Sequence, residues 1–137
     1  MSAFYINKRG EIEIDIFFVG LGGFLGSVGR YLVTILMNKA IPSFPFGTLL
    51  SNILASLIIG FIIGTERQTV ALPNKTRLFL TTGLLGGLST FSAFSLETVT
   101  MYESGRYIAA GGNVLLNISL CLIFVVIGMM LAKAVDM

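Results

Sequence analysis

The chain contains no histidine, no tryptophan, three prolines and a single cysteine, Cys121. Without histidine it lacks the usual proton shuttle, the commonest metal ligand and the base of most catalytic triads, so we do not expect an enzyme. One cysteine cannot form a disulfide within the chain. Charged residues make up only 12% of the 137 residues. The net charge of +2, with no basic patch, argues against nucleic-acid binding.

Apolar residues, in contrast, make up 55% of the chain, and the mean hydropathy is +0.90. A water-soluble domain needs more polar surface than this composition provides. Spanning a bilayer takes about 20 mostly apolar helical residues, and four segments qualify: 16–37, 47–65, 78–101 and 107–132. We therefore predict an all-α membrane protein with four transmembrane helices. Residues 1–13 form a polar N-terminal extension outside the membrane, and residues 14–137 form one transmembrane domain.

Basic residues in the loops predict the orientation of the chain. With four spans, the N-terminus, the second loop and the C-terminus share one side of the membrane. That side carries six basic residues: Lys8, Arg9, Arg67, Lys75, Arg77 and Lys133. The opposite side carries Lys39 and Arg106. The difference favours both termini in the cytoplasm.

Glycines recur at helical spacing in two of the predicted spans. Gly22, Gly26 and Gly29 lie along the first span, and Gly60 and Gly64 form a GxxxG pattern in the second. Small residues let helix backbones approach closely in lipid, either within one subunit or between subunits. Because four helices of this size make a poor pore alone, the glycines together favour an oligomer.

The third span has the most unusual sequence. Between Thr81 and Glu97 it holds three glycines and a run of hydroxyl residues, all of which weaken an α-helix. A broken helix in the membrane leaves backbone carbonyls that must face protein, water or an ion, and such breaks recur at ion sites. The alternative is a continuous helix with a small-residue packing face. We predict a break at residues 86–89.

Phe91 and Phe94 are three residues apart in the same span, with Ser92, Ser95 and Glu97 nearby. At that spacing the two phenylalanines share a helix face. A phenyl ring has a positive edge, so edge-on rings can favour a small anion without holding it as tightly as a fixed cation would. The alternative is an ordinary core or lipid-facing pair. The flanking polar residues favour the anion path.

Polar residues also form stripes on the second and fourth spans. Thr48 and Asn52 are one turn apart, and Asn113, Asn117 and Cys121 are spaced i, i+4 and i+8. These stripes and the hydroxyl-rich break are suited to line a narrow, uncharged, hydrogen-bonding path. Alternatively, the same groups bond to one another between helices, as Asn and Ser commonly do in membranes.

Two charged residues lie within the predicted spans. Arg30 is about 10 Å of helix from Met37 at 1.5 Å per residue, so it can reach the interface or attract anions into a vestibule. Glu97 lies one turn from the end of its span. Intramembrane charges are candidates for function, although both positions also suit a structural role.

Together these residues resemble the Fluc (CrcB) family of microbial fluoride channels. The resemblance runs from the first span to the last and rests on residues 22–26, Arg30, Tyr31, residues 47–49, Asn52 and residues 83–94. It implies a passive channel in the cell membrane that exports cytoplasmic fluoride. It also implies an antiparallel, dual-topology dimer with two fluoride pores and a structural sodium ion at its centre.

The resemblance also implies roles for individual residues. Phe91 and Phe94 match the pore phenylalanines of the family, Asn52 its pore asparagine, and Glu97 its polar-track glutamate. Gly86 and Ser89 match the positions whose carbonyls hold sodium. With the polar neighbours, the candidate pore residues are Asn52, Phe91, Phe94, Thr48, Ser92, Ser95, Glu97, Asn113 and Asn117, and Arg30 is the candidate vestibule residue.

The sequence departs from the family pattern at several positions. Ser89 replaces the more usual Thr, which a backbone ligand should tolerate. Asn113 stands where the family has Tyr, and Asn117 where it has a small hydroxyl residue, so the path along the fourth span is expected to be lined differently. The unequal loop charges are untypical of dual-topology chains and suggest a heterodimer with an oppositely oriented paralogue as the alternative to a homodimer.

Two other functions fit four short spans. A proton-coupled exporter of the small multidrug type resembles a pattern with an acidic residue deep in the first span, whereas this span has Arg30 and, at its edge, only Asp15. A non-transporting assembly subunit would not require a broken, hydroxyl-rich helix. Of the three functions, only the fluoride channel accounts for the predicted break and the hydroxyl residues of the third span.

Overall fold

The computed structural model describes residues 2–68 and 71–135, with side chains from residue 10 onward. Throughout this part of the chain the regular structure is helical. The elements are α1 (Ser2–Ala40), α2 (Phe46–Glu66), α3 (Asn74–Arg77), a π-helix (Leu78–Leu85), α4 (Gly86–Leu88), α5 (Phe91–Glu103) and α6 (Tyr107–Val135). The elements from α3 to α5 follow one another along a single span.

The four predicted spans are confirmed. Segments long and apolar enough to cross a membrane run over Gly10–Ala40, Phe46–Glu66, Asn74–Glu103 and Tyr107–Val135. Each contains the whole of the corresponding predicted span. The agreement is expected, because both are defined by the length and hydropathy of the same apolar segments. The all-α membrane fold is therefore established for the described residues.

The N-terminal extension continues the first helix without interruption. Helix α1 has 39 residues, or about 58 Å at 1.5 Å per residue, compared with a hydrocarbon core of about 30 Å. No change of secondary structure marks the predicted boundary after residue 13. Its position outside the membrane remains a prediction, and the side chains of Lys8 and Arg9, used in the loop-charge argument, lie outside the described residues.

Glycines bring the helices together in two pairs. Gly60, Gly64 and Gly128 bring α2 against α6, where a methyl group on Gly60 would meet the carbonyl oxygen of Val125. Gly22 and Gly26 bring α1 against the backbone of the third span at Phe79 and Leu84. These close approaches are made within one chain, which is the first of the two alternatives for the glycines, and the oligomer that their spacing favours remains a prediction.

The third span is broken, as predicted, but the break lies at the end of residues 86–89 and extends one residue beyond them. Gly86–Leu88 is still helical, whereas Ser89 and Thr90 are extended, with φ/ψ of −80°/153° and −154°/120°. Thr90 then caps α5, since its Oγ1 accepts a hydrogen bond from Ala93 N at 3.2 Å. A capping threonine fixes the start of the new helix and thereby determines where the break falls.

A glycine turn closes the span and reverses the chain into α6. Gly105 has φ of 78°, in the left-handed region that favours glycine. Its N–H donates to Tyr102 O at 3.0 Å, and Arg106 N donates to Met101 O at 2.9 Å. This pairing is the Schellman arrangement that ends many helices. It lets α6 return directly against α5 and places Asn113 and Asn117 beside the break.

Candidate functional site

The carboxamide of Asn52 bonds to both polar groups of the Thr90 backbone. Thr90 N donates to Asn52 Oδ1 at 2.8 Å, and Asn52 Nδ2 donates to Thr90 O at a longer 3.4 Å. In a continuous helix the Thr90 N–H would bond to the Gly86 carbonyl, four residues back. Asn52, which lies on α2, therefore provides the hydrogen-bond partner that the Thr90 N–H loses at the break. Backbone groups within a membrane require such partners.

Three further side chains extend this contact into α6 and back to α5. Asn52 Nδ2 also donates to Asn117 Oδ1 at 3.0 Å. Asn117 Nδ2 donates to Asn113 O and Asn113 Oδ1 at 3.1 and 3.0 Å. Asn113 Nδ2 donates to Thr98 Oγ1 at 2.9 Å, and Thr98 Oγ1 donates to Phe94 O at 2.7 Å. The predicted stripes on α2 and α6 are thus joined in one network.

A cavity of about 250 Å³ lies beside the break. Its lining residues are Asn52, Ser56, Ser89, Thr90, Phe91, Phe94, Asn117 and Cys121. Four of these are predicted pore residues, which the sequence places on three different spans. The cavity combines amide, hydroxyl and aromatic groups, and none of its lining residues carries a formal charge.

Phe91 and Phe94 are in contact, as their spacing predicts, but their surroundings differ. Their ring centroids are 5.3 Å apart with an angle of 57° between the ring planes. Phe94 is 7% exposed, whereas Phe91 is 78% exposed in the single chain. Within one chain, therefore, only Phe94 is enclosed by protein, and the Phe91 ring lies on the outer surface.

Glu97 lies one turn beyond Phe94 and belongs to a second cavity. Thr48 Oγ1 donates to Glu97 Oε1 at 2.6 Å. The second cavity, of about 350 Å³, is lined by Asn38, Pro42, Ser43, Phe44, Pro45, Leu96, Glu97, Thr100, Met101 and Arg106. Helix α5 therefore lies along both cavities, with Phe94 lining the one at the break and Glu97 lining the second.

Of the candidate sodium ligands, Gly86 lies in α4 before the break, and Ser89 is the first residue of the break itself. Ser89 Oγ and Ser89 N both donate to Leu85 O at 3.0 Å. The Ser89 side chain is therefore turned back onto α4 and the π-helix. Because Thr90 N bonds to Asn52, the Gly86 carbonyl loses its helical partner. Both residues line a small cavity of about 150 Å³.

Comparison with known proteins identifies the family. Residues 17–129 match the family described as CrcB-like protein, Camphor Resistance (CrcB). The chain belongs to the CrcB-like family. Relatives named Fluoride-specific ion channel FluC are 47% identical over 116 residues in Clostridium perfringens, covering 84% of this chain and 91% of the relative. The relative in Ruminiclostridium cellulolyticum is 45% identical, with 89% and 95% covered. The one in Syntrophotalea carbinolica is 37% identical, with 88% and 98% covered.

Four other predicted site residues of this CrcB-like chain do not line the cavity at the break. Ser92 is exposed, and its Oγ lies 3.1 Å from Thr90 Oγ1. Ser95 Oγ donates to Phe91 O at 2.8 Å within α5. Arg30 is half-buried on α1, and its side chain has no hydrogen bond or ion pair within the described part of the chain. Asn113 is fully buried and does not line the cavity at the break.

Sequence reasoning missed Thr90, Thr98 and Ser56. Thr90 precedes the apolar start of a helix, which is the usual signal of an N-cap, but the hydroxyl-rich run around it hides the boundary. Thr98 lies one turn after Phe94 on the same helix face. Ser56 lies one turn after Asn52 and lines the same cavity. Continuing each predicted stripe by one further turn would have found the last two.

Proposed function

We propose that this CrcB-like protein is a passive channel selective for fluoride, which lets cytoplasmic fluoride leave the cell across the membrane. The main support is the cavity at the break, where Asn52, Thr90 and Phe94 place amide, hydroxyl and aromatic groups together without a fixed charge. Relatives that share most of the chain are named fluoride-specific ion channels. The proposed activity is transport rather than catalysis.

Neutral hydrogen-bond donors are suited to conduct fluoride through a pore. Fluoride is small and strongly hydrated, so a path must replace its water without holding the ion too tightly to leave. Amide and hydroxyl groups can donate hydrogen bonds, and the edge of the Phe94 ring is weakly positive. The proposed path runs from the cavity at the break, past Phe94, to Thr48 and Glu97. Arg30 would act in a vestibule at a distance, by raising the local concentration of anions.

The path is proposed to be completed by a second copy of the chain. Phe91 is 78% exposed although it lies beside the cavity, and a large exposed ring at a site is a typical subunit contact. We propose an antiparallel, dual-topology dimer in the lipid bilayer with two fluoride pores. The alternative partner is an oppositely oriented paralogue, which the unequal loop charges favour.

A structural sodium ion is proposed at the centre of that dimer. A carbonyl oxygen is free to bind such an ion, because Thr90 N bonds to Asn52 and no longer to the Gly86 carbonyl. Neutral carbonyl oxygens suit a monovalent cation better than a divalent one, which dehydrates reluctantly. Gly86 and Ser89 would supply the ligands, and the ion would stabilise the two breaks without lying in either pore.

Efflux from liposomes that contain only this chain tests the proposal. The vesicles are loaded with potassium fluoride, a potassium ionophore is added, and a fluoride electrode records release. We expect rapid fluoride efflux that needs no pH gradient, and little release from chloride-loaded vesicles when a chloride electrode is used. Efflux that requires a proton gradient would instead favour the exporter. The acidic residues of the first span, Glu11, Glu13 and Asp15, all lie near its start, and Asp15 accepts a hydrogen bond from the exposed Asn74 Nδ2 at 3.3 Å.

A further inference from the structure

The amides of Asn52, Asn117 and Asn113 form a chain of hydrogen bonds whose two ends are both backbone groups of α5 and its cap. One end is the Thr90 N–H, which bonds to Asn52 Oδ1. The other end is the Phe94 carbonyl, which accepts from Thr98 Oγ1. The chain thus leaves the first turn of α5, crosses α2 and α6, and returns to the same turn.

These two ends fix the direction of every side-chain amide between them. An N–H group only donates and a carbonyl only accepts, so Thr90 requires the oxygen of Asn52. Asn52 Nδ2 then donates to Asn117, so Asn117 must accept this hydrogen bond with Oδ1. The two hydrogens of Asn117 consequently point to Asn113 O and Asn113 Oδ1. The amide orientations follow from the backbone, although nitrogen and oxygen are alike in shape.

We propose that Asn117 and Asn113 are positioning residues of the fluoride path, which act on it through Asn52 and do not contact the anion. Asn117 has committed both of its hydrogens to Asn113, and it turns only its oxygen toward Asn52. An oxygen acceptor repels an anion, so Asn117 offers fluoride no donor even though it lines the cavity. Asn113 is fully buried and provides two acceptors that hold Asn117 in this orientation.

The two bonds of Asn52 Nδ2 also differ in length, and this difference assigns their roles. The bond to Asn117 Oδ1 is 3.0 Å, whereas the bond to Thr90 O is 3.4 Å and lies beyond the usual range for such bonds. The hydrogen on the longer bond is the one that costs least to release. Asn117 therefore anchors one hydrogen of Asn52 and leaves the other to be exchanged between Thr90 and a passing fluoride ion.

The side-chain amide signals of Asn52 test this orientation by nuclear magnetic resonance on the purified protein with labelled asparagine. In Asn117→Leu we expect one Asn52 amide proton to shift upfield, because its acceptor is lost. Asn117→Asp keeps an acceptor toward Asn52 but loses both hydrogens donated to Asn113, so the Asn52 proton should not move upfield as it does in Asn117→Leu. Leu115→Ile, on an exposed face of α6, is the matched control and should change nothing. Asn52 signals that are equal in all four proteins would overturn the proposal.

Fluoride flux provides the second measurement, and this part rests on the proposed function. We expect Asn117→Leu to lower efflux about fivefold to tenfold, the scale of one lost hydrogen bond. In the original protein, added fluoride should shift the Asn52 amide signals and leave those of Asn117 in place. Fluoride-dependent shifts of Asn117 that equal those of Asn52 would overturn the positioning role. Absence of flux from the original protein would contradict the proposed function only, because the amide orientation is measured without fluoride.

If Asn117→Leu does not fold, Asn113→Leu supplies the same comparison. It removes one of the two acceptors of Asn117 and leaves the other, the backbone carbonyl of residue 113. Relative to the original protein, we expect an upfield shift of one Asn52 amide proton and a loss of flux. Asn52 signals in Asn113→Leu that equal those of the original protein would contradict an action that passes through Asn117.

Discussion

The hydroxyl of Thr48 donates a 2.6 Å hydrogen bond to Oε1 of Glu97, joining α2 to α5 across 49 positions of the sequence. Thr48 is 4% exposed. The other carboxyl oxygen, Glu97 Oε2, is buried and has no hydrogen-bond partner within the described part of the chain. A buried carboxyl group with one bonded and one unbonded oxygen is sensitive to the loss of its single partner.

Thr48→Val removes that partner with almost no change of shape. We expect fluoride efflux from liposomes to fall about tenfold, since hydrogen bonds to charged groups contribute about 1.5–3 kcal/mol. Thr48→Ser retains the hydroxyl and is the matched control, with efflux near that of the original protein. Equal efflux from the valine and serine variants would contradict a role for the Thr48–Glu97 contact.

Phe94→Ile keeps an apolar side chain beside the cavity and removes the aromatic edge. We expect a fall in fluoride efflux of at least about tenfold, because the weakly positive ring edge is lost. Phe17→Ile, the same substitution at a ring on α1 that is 65% exposed, should leave efflux unchanged. Gel filtration must first establish that both variants assemble as the original protein does. Undiminished flux through Phe94→Ile would remove the aromatic-edge argument.

The close approach of α2 to α6 predicts a loss of stability from a single methyl group. In Gly60→Ala the new methyl group meets the carbonyl oxygen of Val125, and overpacking of this kind typically costs about 1–3 kcal/mol. Gly111→Ala is the control, since a methyl group there has no neighbour within 4 Å. Thermal unfolding in detergent should show a lower midpoint for Gly60→Ala only. A similar midpoint in both variants would mean that the two helices separate easily.

The proposed sodium site predicts opposite outcomes at its two positions. Because the proposed ligands are backbone carbonyls, Ser89→Ala should keep the ion. Gly86→Val adds bulk on the exposed surface before the break, and it should exclude the ion and weaken the dimer. Dimer stability measured in sodium and in a large organic cation distinguishes the two. Loss of the sodium effect in Ser89→Ala would assign the ligand to its hydroxyl instead.

Topology is predicted to be mixed, because an antiparallel homodimer needs both orientations. Single cysteines at Ser43, exposed in the first loop, and at Lys75, exposed on the short helix α3, can be labelled from outside intact cells in a Cys121→Ser background. We expect each position to be labelled in part of the population. Labelling of one position alone, together with no flux from the purified chain, would indicate a heterodimer with a paralogue.

Hydropathy was sufficient to predict the four spans, because the cost of placing polar residues in lipid leaves few alternatives. The spacing of Phe91 and Phe94 predicted that they share a helix face, and their rings are in contact. The break was predicted to lie within residues 86–89 and was found at Ser89 and Thr90. Glycine lowers helix propensity, but here the position of the break depends on the cap that Thr90 forms and on Asn52, 38 residues away.

The partners of the polar residues were beyond sequence reasoning. Helical spacing places Asn113 and Asn117 on one face but does not reveal what that face meets. Gly60 and Gly64 illustrate the same limit, because a GxxxG pattern fits a contact within a subunit as well as one between subunits. Each of these pairings depends on how α2 packs against α6. The sequence of either helix alone does not specify that packing.

The π-helix from Leu78 to Leu85 affects how the third span tolerates insertions and deletions. Each of its turns closes between residues i and i+5, one residue more than in an α-helix. Loss of a single codon within residues 78–85 would therefore convert a wide turn into an ordinary one and leave the residues beyond it nearly in register. A codon lost between Phe91 and Glu97 would instead rotate the following side chains by about 100°, carrying Glu97 away from Thr48. A one-residue deletion before the break is therefore expected to disturb this span less than a one-residue deletion after it.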